Sequence, residues 1–155
     1  MGEFPVAIGD QVAFSKTVGE SDVYQFAGIT GDFARVHVDE AFMQTSPYGR
    51  RIAHGVLLVG FMSTTSTMIL GQRGHTNPDE VAVSLGYDRI RFLAPVFIGD
   101  TVTVTYRIAE IDEVRCRSKS KITVTNQRGE EVAIAEHILK WVTPQSRPAR
   151  QVAAE

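Results

Sequence analysis

The sequence predicts an α+β domain in which a curved antiparallel sheet wraps around one long central helix. Two observations carry this expectation. Gly55 to Gly71 is uncharged and strongly apolar, and the second half of the chain alternates apolar and polar residues in four successive runs. A helix that is apolar on almost every side demands cover on almost every side. An antiparallel sheet with one apolar face supplies that cover by curling around the helix.

Each element follows in chain order. Gln11–Lys16 alternates weakly and reads as a first strand. Ser21 is an expected N-cap for a helix from Asp22 to about Ile29, with Glu20 and Asp22 near its positive end and Gly31 as its terminator. From Thr30 to Arg51 the chain is irregular, with a helical turn over Asp39 to Met43 and the breakers Pro47 and Gly49. An irregular stretch of this length inside a compact domain is commonly functional. The long helix then runs from Gly55, and Gly71, Gly74 and Pro78 close it. Val81–Phe92, Thr101–Ile111, Arg115–Thr125 and Glu131–Val142 read as strands, rich in Val, Ile and Thr. Gly99-Asp100 introduces one of them, and Asn126-Gln127-Arg128-Gly129 is a turn. A single domain over 1–142 is expected, followed by a flexible C-terminal tail over 143–155 that has no apolar period.

At 155 residues the chain can bury a core without metals or disulfides. The net charge of -2 gives no basic footprint, so a nucleic-acid partner is not expected. Cys116 is the only cysteine, so no intrachain disulfide can form, and its alternating neighbours place it on a strand face. The first residues show no basic-then-apolar leader, and a cytoplasmic location is the expectation. The uncharged stretch is shorter than the roughly 20 residues a bilayer requires. It also carries five consecutive hydroxyls, Ser63 to Thr67, and reads as a buried helix, with no membrane partner.

Asp32 and His37 stand out chemically. They lie five residues apart in the irregular segment, where a turn at Ala34-Arg35 can bring both side chains to one water. A carboxylate and an imidazole sharing a water can take one of its protons and return one to a product. That suits addition of water across an activated double bond. The structural alternative is a turn-capping aspartate and a satisfied histidine. Gly55 heads the long helix, where backbone N–H groups have no helical partner and can hold a carbonyl that gains negative charge. Otherwise it simply starts the helix or packs against the sheet.

Gly31-Asp32 with His37, then Ala53-His54-Gly55, then Phe92-Leu93-Ala94-Pro95-Val96-Phe97-Ile98-Gly99-Asp100, resemble the hydratase-2 pattern of the MaoC-like (R)-specific enoyl-CoA hydratases. The resemblance runs from about Ile8 to Val142, and the three segments occur in family order. It implies a hot-dog fold and a reversible syn hydration of trans-2-enoyl-CoA to (3R)-3-hydroxyacyl-CoA. It implies that Asp32 and His37 activate the water, that the Gly55 N–H polarises the thioester carbonyl, and that Ser63 stands near the pair. For Ser63 the alternative is a hydroxyl bonded to its own helix. The resemblance also implies a homodimer or higher homo-oligomer, for which the edge strands of a curled sheet offer a physical route.

One departure stands inside the motif. The family has Asn-Pro two and three residues after the aspartate, where this chain has Ala34 and Arg35. A slower hydratase, a different substrate and a non-catalytic subunit of a hetero-oligomer all remain open, as does a thioesterase on the same fold. Arg35, His54, Arg89 and Arg91 are candidate substrate-binding residues. Alternation puts Arg89 and Arg91 on one strand face, and Arg50, Arg51 and Arg73 are further candidates for coenzyme A phosphates. His37, His54, His75 and His137 lack metal-ligand spacing. No metal and no tightly bound cofactor are expected; coenzyme A enters as part of the substrate.

Overall fold

The computed structural model describes residues 4–72 and 79–144. The expected helix breakers Gly74 and Pro78, the candidate Arg73, and the tail from residue 145 lie outside the described residues. The elements are β1 (Gln11–Thr17), α1 (Glu20–Thr30), α2 (Arg35–Val38), α3 (Glu40–Gln44), α4 (Gly55–Gly71), β2 (Val81–Phe92), β3 (Thr101–Asp112), β4 (Arg117–Asn126) and β5 (Glu131–Val142). The strands form one antiparallel sheet in the order β1-β3-β4-β5-β2. The meander β3-β4-β5 is its middle, and β1 and β2 are its edges.

Strict alternation sets the inner face. Val102, Val104, Tyr106 and Ile108 of β3 are buried, as are Ile122 and Val124 of β4 and Ala135 and Leu139 of β5. Against them α4 packs Leu58, Phe61, Met62, Thr65, Ser66 and Ile69. The expectation that α4 is covered all round fails within one chain. Val56, Gly60, Ser63, Thr64, Thr67 and Met68 form an exposed face at helical spacing, because a five-stranded sheet reaches only one side of the helix.

The inner face also holds a buried polar cluster. His137 is fully buried; Nε2 lies 2.7 Å from Ser84 Oγ and Nδ1 lies 2.8 Å from the Tyr106 hydroxyl. Tyr87 stacks on its ring at 4.2 Å. Burial lowers the His137 pKa to about 4 and pushes the Tyr106 phenol up.

Three local expectations are corrected. Helix α1 begins at Glu20 with Gly19, not Ser21, as its N-cap; the Asp22 carboxylate accepts the Gly19 N–H at 2.8 Å and pairs with Lys16 at 2.8 Å. That bond anchors the cap from inside the helix and leaves Ser21 as a helical residue. Cys116 is not on a strand face: it is exposed, in the left-handed region (φ 51°), at the end of the β3–β4 turn. The Asp112 carboxylate organises that turn by accepting the Arg115 N–H at 2.9 Å. Finally, a bulge between Asp88 and Arg91 inserts an extra residue into β2, with Arg89 at φ 52°. Simple alternation therefore does not relate Arg89 to Arg91.

Candidate active site

The segment Gly31–His54 is where the candidate residues meet. Gly31 ends α1 in the left-handed conformation (φ 81°), its N–H bonded to the Ala27 carbonyl at 2.8 Å. The chain thereby leaves the helix sharply, and Asp32 follows on an exposed loop. One Asp32 carboxylate oxygen accepts the Ala34 N–H at 3.2 Å. Ala34 then caps α2, its carbonyl accepting the His37 N–H at 2.9 Å. Arg35 occupies the first helical position of this turn. That position suits proline, so the replacement of the family Asn-Pro by Ala34-Arg35 leaves the helical turn intact.

The ring of His37 is fixed from behind. Its Nδ1 lies 2.8 Å from the Ile52 carbonyl. A carbonyl only accepts, so Nδ1 carries the proton and Nε2 of the neutral ring keeps its lone pair. The same strand of contacts continues through the Ile52 N–H to the Val36 carbonyl at 3.1 Å and the Ala53 N–H to the Val96 carbonyl at 2.8 Å. The segment before α4 is thus tied to α2 on one side and to the loop after β2 on the other.

His54 lies directly beneath. It is 2% exposed, its ring stacked on His37 at 3.7 Å and 28°, with Phe26 of α1 against it at 4.8 Å. Its Nε2 lies 2.9 Å from the backbone carbonyl of Asp32. His54 thus supports the pair from beneath, and it also lines the cavity in front of Gly55. An oxygen of Asp32 and one nitrogen from each histidine lie within 4.8 Å of one another. Two acceptors bridged by a single water lie about 4.5–5 Å apart, since each bond spans about 2.8 Å at a tetrahedral angle. A shared water fits this spacing. A metal held by both histidines fits less well, because lone pairs in the planes of two stacked rings run side by side and do not converge.

Gly55 begins α4 immediately after this pair. A Cβ there would stand 2.8–2.9 Å from three carbons of the Phe92 ring, so only glycine lets the helix start approach β2 this closely. In front lies a cavity of about 300 Å³ lined by His37, Tyr48, Gly55, Leu58, Phe92 and Val96, among others. The wall is mostly apolar, with imidazole and a helix N-terminus at one end. Tyr48 was not singled out in the sequence: it sits between the breakers Pro47 and Gly49, where no periodicity points to it.

The remaining candidates are placed elsewhere. Arg35 pairs with Asp39 at 3.0 Å and lies over the Phe42 ring at 4.0 Å. The Phe42 N–H and the Arg35 guanidinium both bond Asp39 and lower its pKa. Arg51 is not free for phosphates: its guanidinium binds Glu20 of α1 and Glu40 of α3 and lies 3.3 Å from the Tyr24 hydroxyl, and those carboxylates hold its pKa up. Arg50 lies over the Phe97 ring at 4.0 Å. Arg89 pairs with Glu136 at 3.2 Å, and Arg91 bonds the Ile90 carbonyl at 2.7 Å. Ser63 is on the exposed face of α4, outside the cavity wall; the Tyr87 hydroxyl approaches Ser63 and Ser66 without meeting hydrogen-bond geometry.

Comparison with known proteins agrees with this architecture. The family model described as MaoC like domain matches residues 3–131. An (R)-specific enoyl-CoA hydratase of Rhodospirillum rubrum is 41% identical over 100 residues, which cover 64% of each chain. A 3-hydroxybutyryl-CoA dehydratase of Methylorubrum extorquens is 35% identical over 127 residues, covering 82% of this chain and 74% of that one. The solved structure of the (R)-hydratase from A. caviae superposes with a TM-score of 0.75 at 29% identity, covering 87% of this chain and 96% of the other. With its helix-filled antiparallel sheet and its match over most of the sequence, the chain belongs to the MaoC-like domain family and has the hot-dog fold.

Proposed function

We propose that the protein is a hydro-lyase that hydrates trans-2-enoyl-CoA to (3R)-3-hydroxyacyl-CoA, or runs the reverse dehydration. The observation that carries this reading is the convergence of Asp32 and His37, within reach of one water, beside the start of α4 and an apolar cavity. The names of the R. rubrum and M. extorquens relatives support it.

In this reading the Asp32 carboxylate and His37 Nε2 hold the water between them. Its oxygen attacks the β-carbon as one of its protons passes to the protein. The α-carbon then receives a proton from the same side, which leaves both residues as they began. Negative charge that develops on the thioester oxygen meets the N–H of Gly55 and the positive end of α4. Wild-type protein should remove the enoyl-thioester absorbance of crotonyl-CoA and yield (R) product in a coupled (R)-specific dehydrogenase assay. Asp32→Asn and His37→Ala should each lower kcat about 10²–10⁴-fold, the range of a general acid–base group. Turnover at the wild-type rate in either variant removes the assignment.

The same reading includes a homo-oligomer. The exposed face of α4 and the edge strand β2, with Val81, Val83 and Leu85 exposed, form neighbouring apolar surfaces that a second copy can cover. Light scattering should give at least the dimer mass for the wild type and a shift towards monomer for Val83→Lys. A monomeric wild type at micromolar concentration refutes it. Among the described residues no helix is long and apolar enough to cross a membrane.

A further inference from the structure

We propose that His54 is a positioning residue that locks Asp32 and His37 to one another. The inference rests on the hydratase reading for its kinetic consequence but on the geometry of the site for its substance. Among the described residues Ala34 bonds both members of the pair through its backbone, but His54 is the one whose side chain reaches both, and it does so by two different interactions. Its Nε2 meets the Asp32 carbonyl at 2.9 Å, an acceptor, so Nε2 carries the proton and acts as the donor. Its ring face lies on the His37 ring at 3.7 Å and 28°. Asp32 otherwise sits on an exposed loop, and its remaining contacts are local: Thr30 Oγ1 to its N–H at 3.3 Å and the Ala34 N–H to its carboxylate at 3.2 Å. The Nε2–H bond is the long-range tie on that residue, crossing 22 positions of sequence.

The stack acts on His37 in the complementary direction. The bond from Nδ1 to Ile52 fixes one edge of the His37 ring but leaves rotation about that bond free. A flat ring beneath removes that freedom and aims the Nε2 lone pair. His54 is itself held by Phe26 at 4.8 Å and by its place at the N-cap of α4. Misplacement of reacting groups by about 1 Å can cost about 10²-fold in rate, and a positioning role should appear in kcat and not in KM.

Two variants separate the interactions. His54→Phe keeps a ring under His37 but loses the donor to Asp32. His54→Gln keeps a donor but loses the ring. Each should lower kcat about 10–100-fold with KM within about twofold. Relaxation of the His37 ring C–H groups in the nuclear magnetic resonance spectrum provides a readout independent of turnover. The Ile52 carbonyl keeps Nδ1 protonated in every variant. Wild type and His54→Phe should show an ordered His37 ring, whereas His54→Gln should show a ring with raised motion. If both variants melt near the wild-type temperature, keep wild-type kcat and leave the His37 ring as ordered as in wild type, the proposal is overturned; a rise in KM with unchanged kcat overturns it as well. If either variant does not fold, Phe26→Leu, which loosens His54 from its other face, is read by the same two measurements. Wild-type protein inactive on every enoyl-CoA would sink the hydratase reading, and the order of the His37 ring would still decide whether His54 positions the pair.

Discussion

Adding one methyl group at position 55 tests how the helix start is built. In Gly55→Ala the new Cβ would stand 2.8–2.9 Å from three carbons of the Phe92 ring. Comfortable carbon–carbon contact is about 3.5–4.0 Å, so the ring or the first turn of α4 must give way by at least about 0.6 Å. Overpacking of this kind costs about 1–3 kcal/mol. The better helix propensity of alanine returns at most about 1 kcal/mol. The net expectation is a loss of about 0–3 kcal/mol, or a fall in Tm of a few degrees for a chain of this size. Activity should suffer more than stability. The N–H at position 55 survives the substitution, but it moves relative to His37, and a displacement approaching 1 Å is worth about 10²-fold in rate. The assay is the decay of crotonyl-CoA absorbance beside a thermal melt. Half of the Phe92 side chain is already exposed, so Phe92→Ala in the Gly55→Ala background should clear the clash and restore much of kcat. Gly55→Ala with wild-type kcat and Tm would refute the argument, and failure of the second substitution to rescue would show that the ring is not the obstacle.

His137 gives a pH prediction. Its folded pKa of about 4 lies below the ordinary 6.5 of an unfolded histidine, so the unfolded chain takes up the proton first. Its contribution is complete above about pH 6.5 and lost progressively as pH falls to about 4, with a span of about 3 kcal/mol. The difference in unfolding free energy between wild type and His137→Gln should narrow over that window, and a difference constant from pH 7 to pH 4 contradicts the reasoning. For Arg51→Met, loss of the bonds to Glu20 and Glu40 should lower stability by about 1–3 kcal/mol in urea unfolding with little change in KM. An unchanged midpoint with a raised KM would return Arg51 to the phosphate-binding role its position in the sequence suggests.

The fold was legible because its signals are periodic. The run Gly55–Gly71 and the alternation of β2 to β5 identify one helix and a sheet almost to the residue. What escaped was local and depended on side-chain bonds that sequence spacing does not encode. Asp22 bonding back to Gly19 moved the start of α1, and the turn at Asp112 took Cys116 out of its strand. At the candidate site, motif and chemistry single out Asp32, His37, His54 and Gly55, which sit at breaks in the pattern and which the fold brings together. The tie between His54 and the Asp32 carbonyl could not be found that way, since it joins a side chain to a backbone atom, which any residue would supply. Arg51 misled for a related reason: an arginine reads as free until two carboxylates from separate helices are seen around it.

The hydroxyl run of α4 has one more consequence. Thr64 and Thr67 on the exposed face turn their hydroxyls back to the Gly60 and Ser63 carbonyls, and the buried Thr65 and Ser66 do the same to Met62 and Ser63. Thr64 and Thr67 thus carry part of their own hydrogen bonding inside the helix, so drying them against a second surface costs less than a count of hydroxyls along the helix implies.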